Sequence, residues 1–132
     1  MGLQSTDQVE RWRHSCVQRR GARLAAREEA RLRARHAARE QLPRVLARYP
    51  AVRAAYLYGS VLRRGAFSAS SDLDVGVIGA DAATCMQIWR EAEEQMREWP
   101  LDVRPLENCE FGLRIAAKGE LVYERAAQGP EV

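Results

Sequence analysis

The sequence predicts an α/β domain: a small four-stranded sheet packed on helices and preceded by a long helix rich in arginine and alanine. Three observations carry this. Apolar residues alternate, or run briefly, near residues 52–58, 72–78, 101–106 and 121–124, which is the pattern of short strands. Between the second and third of these segments the apolar residues fall at helical spacing. The first 48 residues are dominated by alanine and arginine, both strong helix formers.

The first helix is expected over about residues 6–48, with Ser5 or Thr6 as its cap and Gly21 as a point where it bends or breaks. Leu24, Leu32, Leu42, Val45 and Leu46 supply its apolar positions, dense only after Arg39. Residues 19–39 carry too narrow an apolar stripe to pack deeply, so they are expected to run along the surface or against another subunit. Pro43 suits a first-turn position or a kink, and Pro50 ends the element. The run 52–58 then reads as a buried strand, closed by Gly59. Asp81 can cap a second helix whose inner stripe is Cys85, Ile88, Trp89, Ala92, Met96 and Trp99, with Glu91, Glu93, Glu94 and Arg97 outside. Residues 108–118 form a short helix with Phe111 and Ile115 inward and Gly119 as its C-terminal cap, before a last strand at 121–124.

The chemistry is concentrated in residues 57–78. Leu57-Tyr58-Gly59-Ser60 is followed by an eleven-residue loop and then Asp72-Leu73-Asp74-Val75-Gly76-Val77-Ile78. In a strand, Leu73, Val75 and Val77 face one side and Asp72 and Asp74 the other. Carboxylates two residues apart sit roughly 6.5–7 Å apart along the backbone and can serve cations about 3.5–4 Å apart. Such hard oxygen donors suit magnesium, which takes one or two carboxylates and completes its shell with water and phosphate. Gly59 permits a tight turn that brings backbone N–H groups to an anion, Ser60 can donate to a phosphate oxygen, and Arg63 and Arg64 follow in the loop. Asp102 lies on the Leu101–Val103 alternation, on the same side as Arg104. Beside Asp72 and Asp74 it would complete three carboxylates whose mutual repulsion calls for a cation. Glu107 and Glu110 are the alternatives for this third position.

A Gly-Ser pair or an Asp-x-Asp strand alone says little. Strand, Gly-Ser turn, loop, Asp-x-Asp strand and a later strand-borne Asp in this order resemble the polymerase-beta-type nucleotidyltransferases, in particular the single-domain minimal nucleotidyltransferases. The resemblance spans about residues 24–125, leaving 1–23 as a helical extension and 126–132 as a loose tail. It implies a mixed sheet packed on helices from one side, with the carboxylate face open. It also implies that Gly59 and Ser60 hold a triphosphate, that Asp72 and Asp74 bind two Mg2+ ions, and that Asp102 is the third acidic residue, assisting deprotonation of an acceptor hydroxyl. The loop before Asp72 is one residue longer than the family's usual spacing, which leaves open whether Arg63 or Arg64 takes its basic position. The activity implied is transfer of AMP from ATP to a protein hydroxyl. The partner implied is a HEPN-family ribonuclease toxin, with this chain as its antitoxin.

Bulk properties fit this frame. The formal net charge of +3 hides an asymmetry: residues 1–55 hold 13 arginines against five acids, and residues 56–132 hold eight basic against 13 acidic side chains. The basic half allows nucleic acid as a partner, although only Trp12 and Tyr49 offer an aromatic platform there. Two readings compete with the enzyme: a non-catalytic relative that masks a partner toxin, and a nucleic-acid-binding module led by the arginine-rich helix. His14 and His36 have no carboxylate neighbours to make a metal or catalytic pair, and no serine-histidine triad is supported. Cys16, Cys85 and Cys109 lack metal spacing and read as reduced thiols of a cytoplasmic protein; no stretch is apolar enough for a membrane span. Homo- or hetero-oligomerisation through the under-buried helix is allowed.

Overall fold

The computed structural model describes residues 2–107 and 110–126. Helix α1, Gly2–Leu46, is a single element of 45 residues, about 1.5 Å of rise per residue, so it is long enough to overhang a domain of this size. Gly21 does not break it, and Ser5 and Thr6 lie inside the helix rather than at its cap. Pro43 sits in the last turn, where its carbonyl still accepts from the Ala47 N–H at 3.0 Å.

Strands β1 (Ala54–Tyr58), β2 (Leu73–Ile78), β3 (Leu101–Pro105) and β4 (Glu120–Glu124) form one sheet in the order β3-β2-β1-β4. β1 runs antiparallel to β2 and β4, whereas β2 and β3 are parallel. The sheet is therefore mixed, as expected. Helix α2, Ala82–Gln95, supplies the crossover that a parallel pair requires, and Asp81 caps it by accepting from the Thr84 N–H at 2.8 Å.

Alternation decides what each sheet face does. Ala55, Leu57, Leu73, Val75, Val77, Leu101 and Val103 are buried and join Leu42, Val45, Leu46, Ile88, Ala92, Met96 and Trp99 in one core. On α1 this packing begins earlier than leucine spacing suggested. Ala34 and Ala38 are fully buried, with Ala30 and Ala37 partly so. The expectation for residues 19–39 therefore holds only for their first part. Small side chains let α1 approach its neighbours closely, so a narrow alanine stripe suffices, while residues 6–27 remain exposed except for half-buried Cys16.

Polar pins fix α1 to the rest. Arg35 on α1 grips Glu120 on β4 through two hydrogen bonds of 2.7 and 2.8 Å, and Arg39 lies 3.5 Å from the same carboxylate. Beyond the end of α1, Tyr49 donates to Glu91 at 2.6 Å, and Arg48 pairs with Glu91 too. Glu91 is thus half-buried in a tie between elements rather than simply outside. Trp89, also half-buried, donates its indole N–H to Glu93 at 2.7 Å.

Helix α3, Gly112–Lys118, departs from expectation in two ways. Phe111 is exposed, leaving half-buried Ile115 as the inward residue. Gly119 does cap the helix, but with φ −75°, so backbone handedness is not the reason for glycine. A Cβ there would crowd the carbonyls of Ile115 and Leu57. A cavity of about 490 Å³ lined by Ile78, Leu106, Glu107, Glu110, Gly112, Leu113 and Ala116 lies between α3 and the polar side of β2, so α3 flanks that side as well. Residues 108 and 109, hence Cys109, and residues 127–132 of the expected tail fall outside the described residues. Among the described residues no helix is long and apolar enough to cross a membrane.

Candidate active site

Strand register builds the site. Tyr58, Asp74 and Asp102 stand opposite one another on β1, β2 and β3, because Tyr58 pairs with Asp74 and Asp74 with Asp102. Cross-strand partners share a face, so these side chains form a row on the side opposite the core. Asp72 lies just before β2 and is exposed. Immediately after Tyr58 the chain turns into a short 3-10 helix, Gly59–Leu62. Gly59 has φ +79°, a conformation that disfavours any Cβ, and a Cβ would also collide with the Asp74 carboxylate. Two independent constraints thus require glycine beside the central acid.

The long loop to Asp72 is anchored by buried Val61 and Phe67. Its last residues are ordered by serines: the Ser68 N–H donates to Ser71 Oγ and the Ser71 N–H to the Ser68 carbonyl, both at 3.0 Å. The turn delivers Asp72 to the rim of the sheet.

The electrostatics are those of an acidic cluster that one guanidinium only partly compensates. Burial raises the Asp74 pKa above its ordinary value, and the charges of Asp102 and Asp72 raise it further; Arg104 partly offsets them. Arg104 sits two residues beyond Asp102 on β3. Its Nε donates to Oδ1 and Oδ2 at 3.0 and 3.2 Å, and its Nη2 donates to Oδ2 at 3.0 Å. Consequently Asp102 is turned toward a guanidinium, and among the described residues no group of three or more carboxylate, histidine or cysteine side chains stands ready-arranged around a cation. The donor set nevertheless fits a hard divalent ion: all oxygen, with a central carboxylate destabilised by like charges.

Of the residues singled out from sequence, Asp72, Asp74, Asp102, Gly59 and half-buried Ser60 gather at this end of the sheet. Arg63 and Arg64 are both exposed, and neither is among the charges that shift Asp74. Arg64 instead acts on Glu28 of α1. Glu107 is engaged by the Gly79 backbone N–H, which removes it as a competitor for the position of Asp102. Sequence reading missed two members of the cluster, Tyr58 and the Arg104–Asp102 pair. The signal for the second was present in the alternation, since residues 102 and 104 share a strand face.

Residues 40–128 match the family model for polymerase beta nucleotidyltransferases. No curated protein matches the chain in sequence. Among solved structures it is similar to a toxin–antitoxin with AMP-PNP, at 18% identity over 67% of this chain and 74% of that one, TM-score 0.55. A mutant of the MntA–HpeT toxin–antitoxin is alike at 15% identity over 67% and 74%, TM-score 0.54. A tri-AMPylated Shewanella oneidensis HEPN toxin in complex with MNT antitoxin matches at 17% identity over 66% and 70%, TM-score 0.49. The first two share the fold. With the family model covering most of its length and the acids of its motif drawn together beside the Gly59 turn, the chain belongs to the polymerase beta nucleotidyltransferase family.

Proposed function

We propose that this chain transfers AMP from ATP to a hydroxyl of a protein partner, and that the partner is a HEPN-family toxin restrained as a consequence. The observation that carries the reading is the pairing of Asp74 with Asp102 beside the Gly59 turn, with Asp72 close enough to shift Asp74. The fold shared with a toxin–antitoxin holding an ATP analogue supports the nucleotide and the partner class.

In this reading the backbone at Gly59 and the Ser60 hydroxyl hold the triphosphate, with Arg63 or Arg64 reaching it from the loop. Asp72, Asp74 and Asp102 would hold two Mg2+ ions, which, when bound, supply Lewis-acid neutralisation of the phosphates and a lowered pKa for the acceptor hydroxyl. Asp102 accepts the hydroxyl proton. The hydroxyl oxygen forms its bond to the α-phosphorus as the bond from that phosphorus to the departing pyrophosphate breaks. Tyr58 walls the site on the β1 side of Asp74.

With its carboxylate face open, the domain takes its acceptor, and the far wall of its cleft, from the partner in this reading. The overhanging part of α1 supplies a surface for it: Val9, Trp12, Val17 and Leu24 are 45–69% exposed on a helix otherwise written in arginine.

Transfer of label from α-labelled ATP to a co-purified HEPN protein tests the reading. Wild type is expected to label it in Mg2+, and the Asp72→Ala, Asp74→Ala double variant to lose at least about 100-fold in rate. Equal labelling by the double variant contradicts the assignment.

A further inference from the structure

The Arg104–Asp102 pair has a role that the transfer reaction does not require. The side-chain hydrogen bonds of Arg104 to described residues go to one carboxylate, and they use both of its oxygens. The Asp102 side chain is only 18% exposed, whereas that of Arg104 is 64% exposed. The guanidinium therefore lies over Asp102 from the solvent side. Its cross-strand partner is Gly76, which has no side chain to pack against it, so Arg104 meets β2 only through the charge of Asp74, with Tyr58 on β1 acting alongside. Its charge also reaches Asp74. A cation of the protein's own thus stands against two of the three carboxylates assigned above.

We propose that Arg104 is an internal counter-ion of Asp102 that competes with divalent metal for this carboxylate. The inference rests on the reading of Asp72, Asp74 and Asp102 as cation ligands. A carboxylate that accepts a bidentate guanidinium has fewer lone pairs free and a partly neutralised charge, so it binds a metal or a proton more weakly until the guanidinium turns away. Turning away is easy, because an ion pair with one partner in solvent is held only weakly. An arriving polyphosphate favours the movement, since its phosphate oxygens can accept the planar guanidinium fork bidentately, as the carboxylate does. Arg104 is in this sense a positioning residue. It partly neutralises the acidic cluster and delays metal loading until nucleotide is present.

Divalent-ion binding to the purified full chain tests this without any turnover. Mn2+ is titrated by calorimetry or by its electron-spin resonance signal, with no nucleotide added. Arg104→Gln is expected to bind Mn2+ about tenfold more tightly than wild type, since removing a cation within contact distance of a carboxylate shifts its electrostatics by this order. Arg104→Lys, which keeps the charge but not the fork, should fall between them. An Arg104→Gln affinity equal to or weaker than wild type overturns the proposal, provided its melting curve shows that it is folded. Asp74→Asn placed on the Arg104→Gln background separates the two layers of the argument. Loss of the tightened binding supports both, and unchanged binding shows that the ion sits elsewhere and overturns the metal-site reading itself.

Discussion

Asp74 is the residue on which the electrostatics of the site turn. Its carboxyl pKa is raised above the ordinary 3.8 by burial and by Asp102 and Asp72. Below that value both folded and unfolded chains hold the proton and the residue costs nothing. As pH rises through 3.8 the unfolded chain ionises first and stability falls, until Asp74 itself ionises and the cost becomes constant. Asp74→Asn is therefore expected to raise Tm at pH 7 by about 2–4 °C, with the gain vanishing below the ordinary carboxylate range. Thermal melts at the two pH values check it. Gly59 makes the opposite prediction. Gly59→Ala meets a φ of +79° and the Asp74 carboxylate together, so it should destabilise by about 1–3 kcal/mol in denaturant titration and abolish transfer. At this scale the sequence was legible wherever alternation decides a face, which is how Asp72, Asp74 and Asp102 could be grouped. It was silent on hydrogen-bond choice, because whether Arg104 turns to Asp102 or to solvent is a rotamer decision with no periodicity behind it.

Among the elements, α1 divides into a packed half and an overhang, and the two respond differently to mutation. In the packed half the Arg35–Glu120 pair ties the edge strand β4 to the helix, and Arg35, with Arg39 and Arg31, holds the Glu120 pKa below its ordinary 4.5. A depressed carboxylate contributes stability that is present above 4.5 and is lost as pH falls through its folded value. Arg35→Ala is expected to cost about 1–2 kcal/mol at pH 7, since Glu120 is only 18% exposed and keeps the more distant Arg39, and the variant should show a shallower acid-side loss than wild type. Denaturant titrations across pH 3–7 measure both. In the overhang, Trp12→Glu should leave Tm within about 1 °C, because Trp12 is 65% exposed, and should weaken capture of the proposed HEPN-family partner by about tenfold or more. Helix and strand bounds were readable to within a few residues from apolar spacing. The alanine contact was not, because alanine serves a buried close approach and an exposed helical face equally well.

At the scale of the molecule, periodicity could propose four strands but not their order. The arrangement β3-β2-β1-β4 depends on which strands meet in space, and only the family resemblance supplied a mixed sheet in advance. That topology is what makes the site: it sets the Gly59 turn against Asp74 from one side and brings Asp102 alongside from the other. It also leaves the carboxylate end of the sheet uncovered, so the reaction is expected to depend on a partner that brings its own hydroxyl. The most direct measurement is the intact mass of a HEPN-family protein encoded beside this chain, purified after co-expression with the wild type and with the Asp72→Ala, Asp74→Ala variant. Addition of one or more AMP units by wild type alone, together with lost toxicity, is the predicted result; an unmodified and still toxic partner in the presence of the wild-type chain would contradict the account.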